Sequence, residues 1–417
     1  MPITGSLGAI SYSRIGDALT GEYWSIQVLN SNQDIRGAVF DSSTQIHAIG
    51  LSNTTGNTAQ LLRFVGNNNP VLTHARTYAN FEVTGIQYFG ANIRFGGGRL
   101  SNRGWLNTSN ANLVTVGTQN QISPSPTYAG GTEYYFREND TYYPPFIDNF
   151  LPVVNVGVTL AQSVSGVAGG SYNPLFISQN SLGNTTVGLQ RNFTNVTITS
   201  TRTGNSPFNE LWCRLFQANG NVSVPFRLTS LDTDNAGNNL VGMYYGNTGY
   251  LVKLDNSGNI LYQKQFNNLK IQNIQCEANN VYVAGTDNGN LIIGKVDDSA
   301  NIIFFNSINL SNSTFSSNNC NLNIYGNAMY IAMNKTSTNS LIYTKLPKDG
   351  NIIGNGTYYF NNFDVLTYSN YIPNISNASI TNSTVSYGEI NLASGNVTTA
   401  GTGNTLVTGQ VTKSLLN

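Results

Sequence analysis

Charge is what this chain has least of: Asp, Glu, Lys and Arg make up 10% of its 417 residues, where a typical globular chain carries roughly 25%. The 20 basic residues cancel the 20 acidic ones. No basic footprint therefore exists for nucleic acid or acidic lipid, and neither is an expected partner. Only 2 histidines, His47 and His74, are present, so a three-histidine metal site is excluded and a Ser-His-Asp arrangement has two candidate bases at most. The 3 cysteines, Cys213, Cys276 and Cys320, are odd in number, far apart and free of any CxxC spacing. That pattern excludes a disulfide framework and a zinc knuckle, and reads as small core residues. No run reaches the roughly 20 apolar residues of a membrane-crossing helix. MPITGSLGAISYSRIGDALTGEYW, at the start, lacks a basic segment followed by an apolar one, so no secretory signal is read there and synthesis in a cytoplasm is expected.

Amides, hydroxyls and aromatics fill the space that charge leaves. About 60 asparagines supply the turn chemistry of β proteins, and 23 Tyr with 19 Phe argue for a folded chain. Residues 279–310, NNVYVAGTDNGNLIIGKVDDSANIIFFNSINL, show three apolar runs of strand length cut by Asp/Asn/Gly turns. A single meander of this size cannot bury its own faces. Copies of the unit recur in GYLVKLDNSGNILYQKQF (249–266), ELWCRLFQANGNVSVPFRL (210–228) and SLIYTKLPKDGNIIGNGTYYF (340–360), aligned on the turn [D/N]-x-G-N. Short strands such as TQIHAIG (44–50), NVTITST (195–201) and AMYIAMN (328–334) precede these hairpins, and runs such as IRGAVF (35–40) and LKIQNIQC (269–276) precede those in turn. Four antiparallel strands repeated in this way predict an all-β fold, a β-propeller of four-stranded antiparallel blades. Seven blades fit the length, and an eighth is left open by YGEINLASGNVTTAG (387–401). A parallel β-helix is the alternative architecture.

The repeat resembles that of bacterial seven-bladed β-propeller repeat families, whose pattern runs G-N-x-Y-V-x-G and then K-L-D-x-x-G-N-x-x-W. Asn280 to Gly285 match the first part; Lys253, Leu254, Asp255, Gly258 and Asn259 match the second. Tyr262 and Phe304 stand where the pattern ends in Trp. The resemblance covers residues 235–360 best and implies the fold more than an activity. The expected organisation is an N-terminal lead or docking segment (1–22), a propeller (23–370) with an insertion at 118–153, and C-terminal strands (371–417) that either close the ring or contact another subunit.

Chemistry is sparse in this pattern. The acids Asp232, Asp234, Asp255, Asp287, Asp297, Asp298 and Asp349 sit in Asn/Gly turns, which turn chemistry alone explains. DTDNAGNN (232–239) has the beginning of a calcium loop, Asp232 to Gly237, but Met243 stands where a bidentate Glu belongs. IRFGGGRLSNRGW (93–105) has glycines and arginines but neither a helix signal nor G-K-[ST], so phosphate binding is not expected. No catalytic residue, metal site or cofactor is expected.

The candidate contact region is the insertion, where Tyr128, Tyr134, Tyr135, Phe136, Tyr142, Tyr143 and Phe146 crowd among turn residues. It reads either as a subunit or receptor-glycan contact or as a cap on the propeller face. An amide-rich surface without an export signal looks like that of a bacteriophage virion protein. The expectation is a non-enzymatic structural component of the tail apparatus (nozzle, tip or fibre), located in the virion and in contact with other virion proteins. Self-association is expected, and a host-surface glycan or receptor is a possible ligand. The alternatives are a secreted carbohydrate-binding or adhesive propeller and a capsid decoration or neck protein.

Overall fold

The computed structural model describes residues 10–14, 24–28, 33–53, 58–67, 70–79, 81–89, 92–99, 103–110, 120–122, 135–136, 141–143, 150–155, 158–165, 172–179, 184–191, 195–202, 210–217, 227–310, 313–336, 340–351, 357–360, 364–378, 380–384, 386–390 and 406–407. Strands β1 (Ile10–Arg14) and β2 (Trp24–Val28) come first in the chain. From β3 onward, four strands are laid down at a time. The first sheet is β3–β6 (Gln33–Asp41, Ile46–Asn53, Thr58–Val65, Val71–Ala79), and the second is β7–β10 (Phe81–Phe89, Asn92–Arg99, Arg103–Asn110, Asn120–Ile122). The third is β11–β14 (Tyr135–Phe136, Thr141–Tyr143, Phe150–Asn155, Val158–Ser165), and the fourth is β15–β18 (Tyr172–Gln179, Asn184–Arg191, Asn195–Arg202, Glu210–Gln217). The fifth is β19–β22 (Arg227–Thr233, Asn239–Tyr245, Thr248–Leu254, Ile260–Asn267), and the sixth is β23–β26 (Lys270–Glu277, Asn280–Asp287, Asn290–Asp297, Ile302–Leu310). The seventh has β27–β29 (Phe315–Tyr325, Ala328–Lys335, Leu341–Pro347) and takes β2 as its fourth strand and β1 as its fifth.

Neighbouring strands within these sheets pair antiparallel, which excludes the parallel β-helix. The first strands of successive sheets touch in order round the molecule, and β27 returns to β3. This closed order of radial sheets is a β-propeller. Closure falls to the N-terminal strand: Trp24 pairs with Lys345 and Val28 with Leu341. Several inner strands carry an extra residue at the same place, Arg36, Thr84, Thr229 and Gln272. A β-bulge there bends the strand at the crowded axis.

The remaining strands run back round the outside. β30 (Thr357–Phe360) and β31 (Asp364–Asn370) extend the sixth sheet, and β32 (Asn374–Asn377) lies on the edge of the fifth. Then β33 (Thr381–Thr384) edges the fourth, β34 (Ser386–Ile390) the third and β35 (Leu406–Val407) the first. Tyr387–Ile390, from the stretch that left an eighth unit open, thus belongs to an added strand of the third sheet. Capping an outer strand satisfies backbone groups that otherwise invite pairing with another chain.

Residues 118–153, expected as a loop, depart from that expectation where they are described. Asn120–Ile122 is the fourth strand of the second sheet, while Tyr135–Phe136 and Thr141–Tyr143 are the first two of the third. Tyr and Phe are strong strand formers, and cross-strand aromatic pairs suit an antiparallel ladder.

The core lies between sheets. Leu291, Ile293, Leu322, Ile331 and Ile342 fill the space between the sixth and seventh. Val241, Val252 and Phe216 do so between the fourth and fifth, with Ile380 of the outer wrap added from outside. Strands covered on both faces lose the polar alternation of a half-exposed strand. Accordingly β28 and β29 are buried along their whole length.

Candidate functional site

Hairpins joining first to second and third to fourth strands turn at one end of the ring, so their loops form a common face. A five-residue turn recurs there. In Asp255–Asn259, the Asp255 carboxylate accepts the backbone N–H of Ser257 and of Asn259, each at 2.8 Å, and the Asn259 amide at 2.9 Å. The Asp255 N–H in turn donates to the Asn259 carbonyl at 2.8 Å. Asp297 with Asn301 and Asp234 with Asn238 repeat the same set of bonds. Donors from the Asn301 side chain and backbone hold Asp297 below the usual carboxylate range. The fourth residue needs a left-handed backbone: φ is +85° at Gly237 and +75° at Gly258, and Ala300 adopts +62°. Gly258 is required twice over, because a Cβ there would lie 2.5 Å from the Trp212 ring of the preceding sheet.

That close approach is the structural meaning of the aromatic ending the repeat. Each such residue lies on the fourth strand of one sheet and covers the third turn of the next. Trp212 donates its indole N–H to the Asn256 carbonyl at 2.8 Å, and Arg214 beside it donates to the Gly258 carbonyl at 2.7 Å. Phe304 packs on Gly350, while Asn306 donates to the Gly350 carbonyl at 3.0 Å. At ring closure Trp24 donates to the Asn67 carbonyl at 2.7 Å. The Asn67 side-chain oxygen accepts from Tyr330 at 2.8 Å and from Lys345 at 2.9 Å.

The third strand supplies a cation opposite several such rings: Lys345 faces Trp24, Lys295 faces Phe304, Lys253 faces Tyr262 and Arg63 faces His74, whereas Ser200 stands opposite Trp212. Lys253 is buried and lies between Asp234, at 2.9 Å, and Asp298 of the next sheet. The Asp232–Gly237 stretch therefore does not present a free carboxylate pair to a calcium ion. Asp234 is met by Lys253, Ala236 and Asn238, and Asp232 by the backbone N–H of Thr233 and Cys276. No group of three metal-ligating side chains occurs among the described residues.

The histidines lie in the first sheet with β5 between their strands. His47 is fully buried, its Nδ1 2.8 Å from the Tyr343 hydroxyl and its Nε2 3.1 Å from the Gly66 carbonyl. A carbonyl only accepts, so Nε2 carries the proton and Tyr343 donates to Nδ1. Burial pushes its pKa down to about 3. With Phe40 stacked on it at 4.4 Å, His47 is a neutral core residue of the closing joint. His74 meets Arg63 instead, 3.1 Å away at Nδ1.

Of the candidate contact residues, Tyr135 and Phe136 pair with Tyr143 and Tyr142; Tyr128, Tyr134 and Phe146 lie outside the described residues. From sequence, Lys253 stands out only as part of the repeat pattern, and Lys345, Trp24 and Trp212 not at all. The K-L-D and final-Trp columns of the repeat were the signal that could have found them.

These features define a β-propeller. No family model and no curated protein matches the chain. Solved structures do resemble it in fold. A Pseudomonas aeruginosa periplasmic gluconolactonase is 9% identical with a TM-score of 0.47, over 70% of this chain and 94% of that one. YCF48 from Cyanidioschyzon merolae is 10% identical with a TM-score of 0.47, over 76% and 98%. A prolyl endopeptidase is 8% identical with a TM-score of 0.49, over 82% of this chain and 51% of its own. None is a virion protein, so the expected bacteriophage role, as tail, neck or capsid component, is corrected. The composition that prompted it is equally that of any uncharged propeller built on Asn turns.

Proposed function

We propose that this β-propeller is a non-enzymatic recognition module whose turn face binds a neutral, hydrogen-bonding ligand such as a glycan. One observation carries the reading. The cations and rings that could serve chemistry at the described joints are engaged in holding sheet to sheet, and the exposed turn end carries mainly amides and hydroxyls, with the carboxylates of Asp298 and Asp349 among them. Ser43, Thr44, Asn235, Ser257, Asn259, Ser299, Asn301 and Asn351 are exposed there. Short polar side chains on rigid turns present donors and acceptors already oriented, which lowers the ordering cost of binding. A ligand held this way responds little to salt, because counterion screening acts on charge pairs.

The test is a screen of the full chain against neutral and sulfated glycans, followed by calorimetric titration of the retained ligand and analysis of that ligand for turnover. Saturable, salt-insensitive binding of a neutral glycan without product is expected. Product formation, or retention of sulfated glycans alone, contradicts the reading.

A further inference from the structure

The first strand of a sheet ends at the turn face, on the residue that pairs with the start of the second strand. In the first, fifth and sixth sheets that residue is polar: Asp41, Thr233 and Glu277. Phe89 and Phe136 hold the place in the second and third sheets, and Tyr325 holds it in the seventh. Tyr325 is 49% exposed, the one exposed aromatic ring among the described residues. It is also firmly mounted. Phe40 of the first sheet meets its ring edge to face at 5.4 Å. The strand that carries it is tied to both neighbours, because the Gln275 oxygen of the sixth sheet accepts the Ile324 N–H at 2.6 Å and the Asn323 amide donates to the Ala38 carbonyl of the first at 2.7 Å. The residue after it is Gly326, at φ +57°, and the place a Cβ would take there has nothing within 4 Å, so the turn beside the ring is open. Asn327 completes that turn and is exposed. Ser43 and Thr44 are exposed on the turn that follows Phe40, where the Asp41 carboxylate accepts from both hydroxyls and fixes them.

We propose that Tyr325 is the platform on which one pyranose ring of a neutral glycan stacks, an inference that rests on the recognition role above and places the ligand where the seventh sheet meets the first. A pyranose with equatorial hydroxyls shows a flat face of axial C–H bonds, and those weakly positive hydrogens suit the negative face of an aromatic ring. A tyrosine already fixed by its neighbours gives that contact at low ordering cost. The hydroxyls round the rim of the sugar are then served by Ser43, Thr44 and Asn327, short side chains that both donate and accept.

The test titrates the full chain with cellohexaose, chitohexaose and maltohexaose by calorimetry, in the wild type and in Tyr325→Ala, Tyr325→Leu and Tyr325→Phe. Affinity for the oligosaccharide that binds is expected to fall about tenfold in the Ala and Leu variants and to stay near wild type in the Phe variant. Leu keeps an apolar side chain against Phe40, so its loss of affinity at an unchanged denaturation midpoint reports on the ring and not on the fold. Equal affinity in the wild type and the Leu variant overturns the platform and leaves the glycan reading standing. A loss in the Phe variant as large as in the Leu variant also overturns it, because the ring is then not what binds. Wild type that binds none of the three overturns it as well, whereas the glycan reading falls only when the wider screen retains no neutral glycan.

Discussion

The joint that closes the ring and the joint between the fifth and sixth sheets meet the same demand with opposite chemistry. At closure, Trp24, Tyr330 and Lys345 all donate to one neutral residue, Asn67. Between the fifth and sixth sheets, Lys253 is held by two carboxylates, and the Tyr262 hydroxyl is buried with no hydrogen-bond partner. Both bury a lysine against the next sheet's turn. One gathers an indole, a phenol and an ammonium on the oxygens of a single neutral residue, whereas the other concentrates charge and keeps an orphan hydroxyl. The ring keeps its place at both joints with a lysine opposite it, while the partner on the next sheet's turn is free to differ.

Removing parts of each joint should expose that difference. Trp24→Ala should cost most, about 3 to 5 kcal/mol by chemical denaturation. It deletes the largest ring of the closing core and leaves the Asn67 carbonyl without its indole donor. Lys253→Ala should follow at about 3 kcal/mol, because Asp234 is then buried without its cation. Lys345→Ala should cost less, about 1 to 2 kcal/mol, since its loss leaves the Asn67 side chain, a neutral amide, rather than a buried carboxylate. Equal losses at the two lysines would erase the comparison.

Legibility followed the turn residues. LKIQNIQC and NVYVAGT correspond to β23 and β24, with their hairpins where the Asp and Gly residues placed them. NVTITST, by its place before a hairpin, reads as a second strand but falls third in its sheet, as β17. The reason is physical: a Gly-Asn turn serves either hairpin of a unit, as Asp234–Asn238 after β19 and Asp255–Asn259 after β21 both show. The outer wrap carries little signature, since edge pairing is made by backbone and asks little of side chains. What its residues do reveal is modest: Tyr371 reaches Asp287 at 3.0 Å, and the Ile380 N–H meets Gln263 at 3.1 Å. The turn role of the acids was readable because Asp, Gly and Asn are local signals. The joints were not, because each unites residues about one repeat apart whose pairing depends on the ring.

The central claim is that the ring at the end of each repeat serves the next sheet's turn, and Tyr262→Trp tests it most directly. An indole there should donate to the Asp298 carbonyl as Trp212 does to Asn256 and Trp24 to Asn67. It should fill the space now holding an unpartnered hydroxyl and raise stability by about 1 kcal/mol. A higher denaturation midpoint with unchanged cooperativity and a protected indole N–H is expected. A lower midpoint with an exchanging indole would contradict it.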